Sequence, residues 1–296
     1  TYIDIYGVAE PASPNTVSNI RIDGGLINSR RIDNHLFIAT QFVPNLEDLP
    51  DAGTSNRSLV NLYNAILAKN SSELVPKITI NGQTSDLYQL TDCLLPQRAT
   101  EQNGHTQMVS VVKIDLDNPM NFSSLCLLTE AHGLFASADH LYLHARGEES
   151  TIVHKISLGN EIRYQATASV VGTLGWQSSA QFRLAERDGK LLAVTTVGAW
   201  SQDPEHMLHI LEQHGSELVE IATLPNESQP APIGKPGEAI YAVRFFEDRA
   251  FIVTFEQVDP LYVIDLTDLY APMVAGELEI PGFSSYLHPM ENGLLL

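Results

Sequence analysis

Polar residues that recur at matching places in an apolar pattern are the first candidates for chemistry. Four such residues are Arg30, Gln181, Arg244 and His288. Each falls in a short apolar run of similar design, with Ser29, Tyr241 and Tyr286 as neighbours. Two guanidiniums and an imidazole converging on one place would suit a carboxylate, a phosphate or an acidic side chain, because the planar guanidinium matches such groups two bonds at a time. A structural reading stands beside it: arginine on an inner strand can tie neighbouring sheets together through carbonyls and adjacent Asp or Glu.

The ten histidines raise the question of a metal. His132, His140, His144 and His154 lie in one stretch, and His206, His209 and His214 in another. His140 and His144 share one face of a strand but stand about 13 Å apart there, too far to hold one zinc ion. His206 and His209 point to opposite faces of theirs. No HExxH, GxSxG or GxxxxGK pattern occurs, so neither a metal ligand set nor a catalytic residue is assigned. Cys93 and Cys126 are either one disulfide or two buried thiols. The Asp-rich turns Asp115-Leu-Asp117-Asn118 and Asp265-Leu-Thr-Asp268 could attract calcium. They lack the ligand spacing and final Glu of an EF-hand loop, and Asp and Asn in such turns ordinarily bond their own backbone. Calcium is thus the one cofactor left open.

What must position these residues is a set of strands. Gly237 to Gly282 holds four apolar runs, Ala239 to Phe245, Ala250 to Phe255, Leu261 to Leu266 and Met273 to Ile280, separated by Glu247-Asp248, Asp259-Pro260 and Asp268 to Pro272. Runs of this length and composition, broken by turn residues, are strands of an antiparallel sheet. Four in under fifty residues make one blade of a β-propeller. The unit repeats: NSRRIDNHLFIAT (Asn28 to Thr40) aligns without a gap on AVRFFEDRAFIVT (Ala242 to Thr254), and Leu134 to Ala145 and Ala180 to Thr195 are looser copies. Each copy is followed by a second strand pair. Repeats of this period mark a closed or stacked array.

The spacing therefore predicts an all-β propeller over 1–296 with four whole units, Gly25 to Glu130, Ala131 to Thr173, Leu174 to Asn226 and Pro236 to Gly282. Tyr2 to Asp23 and Phe283 to Leu296 read as part-blades. They either complete a fifth blade together or adjoin blades beyond this sequence, the second being preferred. Residues 44–108 form an insertion. Within it, apolar residues at 59, 60, 62, 63, 66 and 67 have helical spacing, with Thr54 and Ser55 as caps. A helical flap packed on the propeller is preferred to a substrate lid. Trp176 and Trp200 are expected to pack between blades.

The bulk composition excludes some partners. Seventeen basic against 36 acidic residues give a formal charge of -19, which would repel a phosphate backbone and an anionic membrane face. Neither nucleic acid nor membrane insertion is expected.

Four phrases carry a family resemblance: VRFFEDRAFIVTFEQVDPLYVIDL (Val243 to Leu266), GELEIPGFSSYLHPMENGLLL (Gly276 to Leu296), TIVHKISL (Thr151 to Leu158) and SRRIDNHLFIAT (Ser29 to Thr40). In these the chain resembles secreted bacterial and archaeal proteins with a C-terminal β-propeller domain distantly related to WD40 repeats. The resemblance covers most of the chain outside the insertion. It implies export, a longer parent protein, and no catalytic residue to carry over. The expected function is a non-catalytic binding or scaffold domain for a protein or small extracytoplasmic ligand. The competing reading is a hydrolase or lyase with its site in the axial channel, assisted by calcium.

Overall fold

The computed structural model describes residues 1–50, 55–95, 107–175, 180–255, 259–280, 287, 288 and 290. It is built almost entirely of antiparallel strands, and it divides into two compact units. The first comprises Thr1–Ala131 with Gly159–Arg163, and the second His132–Leu158 with Tyr164–Leu296.

In the first unit the strands are β1 (Tyr2–Gly7), β2 (Asn15–Ile22), β3 (Gly25–Ile32) and β4 (His35–Phe42). Helices α1 (Asn56–Ala68) and α2 (Ser71–Leu74) follow, then β5 (Lys77–Ile80), β6 (Gln83–Asp86), β7 (Met108–Asp115) and β8 (Phe122–Leu128). Strands β3-β4-β7-β8 form one four-stranded sheet and β1-β2-β5-β6 another. β2 shows the two-residue period of a half-covered strand, with Ser18, Ile20 and Ile22 buried and Val17, Asn19 and Arg21 exposed. Ile20, Ile22, Ile38, Ile78, Val112 and Ile114 share one apolar core.

The second sheet corrects the expected partition. The N-terminal hairpin pairs through β2 with β5, Ile20 facing Ile80 and Ile22 facing Ile78. The strands that extend this hairpin into a four-stranded sheet therefore come from the insertion. The deciding signal is Asn81-Gly82, both in the left-handed region at φ 50° and 86°, the conformation of a two-residue hairpin turn. The Asn81 carboxamide oxygen also accepts from Ser18 Oγ and Asn19 N at 3.1 and 3.0 Å, fixing β5 against β2. Most of Phe283–Leu296 lies outside the described residues.

The helix forms as the spacing predicts, capped by Ser55, whose side chain accepts from Ser58 N; Thr54 lies outside the described residues. Its expected packing does not occur. α1 buries no residue, and Leu59, Val60, Tyr63, Ile66 and Leu67 are all exposed, because only Ser58, Leu62, Ala65 and Lys69, on the opposite side of the helix, are partly covered. The insertion is instead anchored by a disulfide between Cys93 and Cys126 of β8. Among the described residues no helix is long and apolar enough to cross a membrane.

The second unit contains β9 (Gly133–Ala136), β10 (His140–Arg146), β11 (Ser150–Ser157), β12 (Arg163–Val171), β13 (Leu184–Arg187), β14 (Lys190–Val197), β15 (Glu205–His214) and β16 (Glu217–Leu224). Then come β17 (Ala239–Phe246), β18 (Arg249–Phe255), β19 (Asp259–Asp265) and β20 (Met273–Ile280). Each consecutive four is an antiparallel set, and the first two sets join through one parallel bridge, Thr167 to Glu217, between their last strands. All four expected whole units therefore fold as four-stranded blades. Second strands are buried on both faces, as in β14, where Leu191 to Thr196 are covered without alternation, the pattern of a strand sandwiched between layers. Leu208, Ile210, Ile252 and Ile264 form the core between the last two sets. Trp200 does not pack between blades: it is 68% exposed, with the Arg146 guanidinium 5.6 Å over its ring, because it sits in the turn after β14. Trp176 lies outside the described residues.

Candidate functional site

The four sequence-derived candidates divide between the two units. Arg30, in β3, donates through NH1 to Asn28 Oδ1 at 3.0 Å and to the Ser29 carbonyl at 2.7 Å. The other three come to one region of the second unit. Arg244, in β17, lies 4.5 Å over the Phe182 ring and donates through Nε to the Leu287 carbonyl at 3.1 Å, which brings it beside both Gln181 and His288 in the chain. Arg30 and Arg244 are repeat-equivalent, facing Phe37 and Phe251 across their hairpins. Gln181 is not: it opens a 3-10 turn, Gln181–Arg183, ahead of β13, and the residue that occupies the equivalent place is Ala185, facing Leu192. Tyr241 is exposed, and Tyr286 lies outside the described residues.

Arg183, two residues beyond Gln181, was invisible to the repeat argument because it too precedes the strand. It is buried, donating to Thr196 Oγ1 at 3.0 Å and to the Ile240 carbonyl at 3.3 Å, and burial lowers its pKa to about 10. Thr196 Oγ1 is 3.1 Å from His206 Nδ1, and His206 Nε2 donates to the Glu238 carbonyl at 2.8 Å. Burial holds this imidazole below its ordinary pKa, so it is a neutral link in a polar chain between two blades. Such a chain satisfies buried groups and fixes the blades in register.

The Asp-rich turns are closed by their own backbones. Asp115 Oδ1 accepts from Asp117 N at 2.9 Å and Asp265 Oδ1 from Thr267 N at 2.8 Å; the Asp117 bond holds the Asp115 carboxyl below its usual pKa, and the Thr267 hydroxyl followed by its backbone N–H does the same for Asp265.

A cavity among the described residues of the second unit lies elsewhere, over the hairpin ends of three first strands. Its volume is about 610 Å³, within the range of small-molecule sites. β9 contributes Phe135 and, just past its end, Ser137; β13 contributes Glu186 and Arg187; β17 and the turn after it contribute Phe245, Phe246, Glu247 and Asp248. The turn of β13–β14 is tight because Asp188 and Gly189 both take positive φ, 49° and 72°, which sets Glu186 and Arg187 at the very tip.

Glu186 is the hub. Its side chain is 8% exposed. Oε2 accepts from Ser137 Oγ, and Oε1 lies 2.7 Å from His140 Nδ1; a carboxylate can only accept, so Nδ1 carries the proton. Ser137 Oγ also accepts from His140 N at 3.0 Å, closing the β9–β10 turn. Behind Glu186 stands Lys155, 3% exposed, its ammonium donating to the Gly189 carbonyl at 3.3 Å. Burial pushes this lysine's pKa down and Glu186 pulls it back up. The Tyr142 hydroxyl is buried beside them, and burial, with the charge and nearness of the Glu186 carboxylate, raises its pKa far above that of a free phenol. Ser, His and Glu are all present, but the order is wrong for nucleophilic catalysis. The carboxylate stands between the hydroxyl and the imidazole, so Ser137 Oγ is hydrogen-bonded to the acid and not to an imidazole nitrogen that could take its proton.

Comparison with known proteins gives one family and several distant likenesses. The family described as Beta propeller domain matches residues 1–296. An uncharacterized protein of Methanocaldococcus jannaschii is 41% identical over 117 residues, 39% of this chain and 17% of that protein. An uncharacterized protein of Archaeoglobus fulgidus is 38% identical over 153 residues, 52% of this chain and 22% of that one. The chain thus spans about a fifth of the length of these curated relatives. Among solved structures, an alpha-L-arabinofuranosidase from Clostridium thermocellum aligns over 85% of this chain and 92% of its own, at 9% identity and a TM-score of 0.30. A likeness at that level assigns no activity to this chain.

Proposed function

The chain belongs to the beta propeller domain family, and from that premise we propose that it is a non-catalytic binding domain whose ligand occupies the cleft over β9, β13 and β17. One observation carries the reading: both oxygens of Glu186, the most buried acid of the cleft, are engaged by Ser137 and His140. That carboxylate builds the cleft wall and is not poised to move a proton. The aromatic rings of Phe135, Phe245 and Phe246 are left half-covered at the opening, which suits contact rather than turnover. We place the parent protein outside the cytoplasm. The Cys93–Cys126 bond supports that placement, since disulfides persist in oxidising compartments.

The experiment is crystallography of protein soaked in a fragment library, with mass spectrometry of the soak solutions. Intact fragments lodged between Phe246 and Glu186 support the proposal. Fragments cleaved in solution would favour the hydrolase or lyase reading instead.

A further inference from the structure

We infer that the ligand of this cleft presents an alkylammonium group on an apolar stem; the inference rests on the cleft being the binding site. Three carboxylates, Glu186, Glu247 and Asp248, line the cavity against one guanidinium, Arg187. That guanidinium is held against the cavity wall: its Nη1 donates to the carbonyl of Leu266, another lining residue, at 2.9 Å, and its Nε lies 3.6 Å from Asp188. Of the other nearby cations, Lys190 is paired with Glu212 at 2.8 Å, and buried Lys155 sets its charge against Glu186, whose oxygens Ser137 and His140 already engage, so Glu247 and Asp248 are the carboxylates left for a ligand. Arg249 Nε reaches Asp248 only at 3.8 Å, with both side chains solvated, so water screens that pair.

Three phenyl rings share the mouth of the cleft, and ring faces attract cations. Carboxylates and rings together therefore reward a positive head and an apolar stem at once, while an anion meets more carboxylates than guanidiniums in the lining. The chain's charge of -19 adds long-range steering of the same sign. An anion on the same stem fits the rings but not the carboxylates.

The test is calorimetric titration of the whole chain with n-hexylammonium, n-hexanol and n-hexanoate, and with the capped peptide acetyl-Ala-Lys-Ala-amide. Hexylammonium is expected to bind at least tenfold tighter than hexanol and hexanoate. The Glu247→Gln/Asp248→Asn double variant should lose at least that factor. Glu148→Gln/Glu149→Gln, which removes two exposed carboxylates elsewhere, should not. Tighter binding of the peptide would assign the ammonium to a protein side chain, and the reverse to a free amine; either supports the class. Equal binding of hexanol or hexanoate, competing for the same cleft, would overturn the charge inference while leaving the cleft as the site. Binding of hexylammonium undiminished by the cleft variant, or no binding by any probe, would overturn the cleft itself. The comparison of the three six-carbon probes needs no variant, so it stands even where a substitution impairs folding.

Discussion

His140 Nδ1 lies 2.7 Å from Glu186 Oε1, a bond from the second strand of one blade to the first strand of the next. It makes the cleft wall part of the blade-to-blade joint, so the site and the fold are stabilised by the same groups. Removing Glu186 would leave Lys155 as a buried cation without its opposing charge and His140 Nδ1 without its acceptor. Glu186→Ala is expected to cost about 3 kcal/mol, the scale of breaking a buried charged cluster. Glu186→Gln, which keeps an acceptor oxygen, should cost less. Urea unfolding of both variants checks this; equal midpoints with the unmodified protein would show that Glu186 is not the hub.

Stability should fall as the solution is acidified below neutrality. Burial lowers the pKa of His144 and of His154 from 6.5 to about 4. A depressed imidazole pKa means that the unfolded chain binds protons more readily than the folded one between those values. The stabilisation is present above pH 6.5 and drains away as the pH falls toward 4. The shift corresponds to about 3 kcal/mol per histidine. Denaturation midpoints measured from pH 7.5 to 4.5 should decline, and His154→Gln should flatten the slope. A midpoint independent of pH across that window would refute the assignment.

Much of this fold was legible in the chain. Arg30 and Arg244 do occupy equivalent places, because a gapless repeat preserves strand register and register fixes facing residues. The whole blades followed from turn residues between runs of Val, Ile and Phe. The β5–β6 hairpin was missed because the strong helical spacing of residues 59–67 coloured the whole insertion, although Asn81-Gly82 carries the turn signal. The cleft was missed for a different reason. Ser137, Glu186 and Asp248 belong to turns of three different blades, and no spacing along the chain brings them together. Only the convergence of the first strands does so, which is tertiary information.

The hairpin offers its own test. A Cβ at Gly82 would meet no atom within 4 Å, so the cost of Gly82→Val is conformational alone, about 1–2 kcal/mol for a positive φ. Gly82→Asn, which tolerates that region better, should cost clearly less. Thermal unfolding of the pair separates the two; identical losses would contradict the turn.

Reduction of the disulfide should loosen the insertion. Cys93 and Cys126 are 33 residues apart, and closing such a loop contributes about 2–4 kcal/mol by restricting the unfolded chain. Cys93→Ala/Cys126→Ala is expected to lower the urea midpoint accordingly while leaving ligand binding at the cleft unchanged. A double variant as stable as the unmodified protein would show that the bond does not anchor the insertion.

The central claim is that the cleft over β9, β13 and β17 is where this domain binds its ligand. Amide chemical-shift mapping during titration with n-hexylammonium tests it most directly. The account predicts that the largest shifts gather at Ser137, Glu186, Phe246 and Asp248. Shifts gathered instead at Gln181, Arg244 and His288, or spread evenly over the acidic surface, would contradict it.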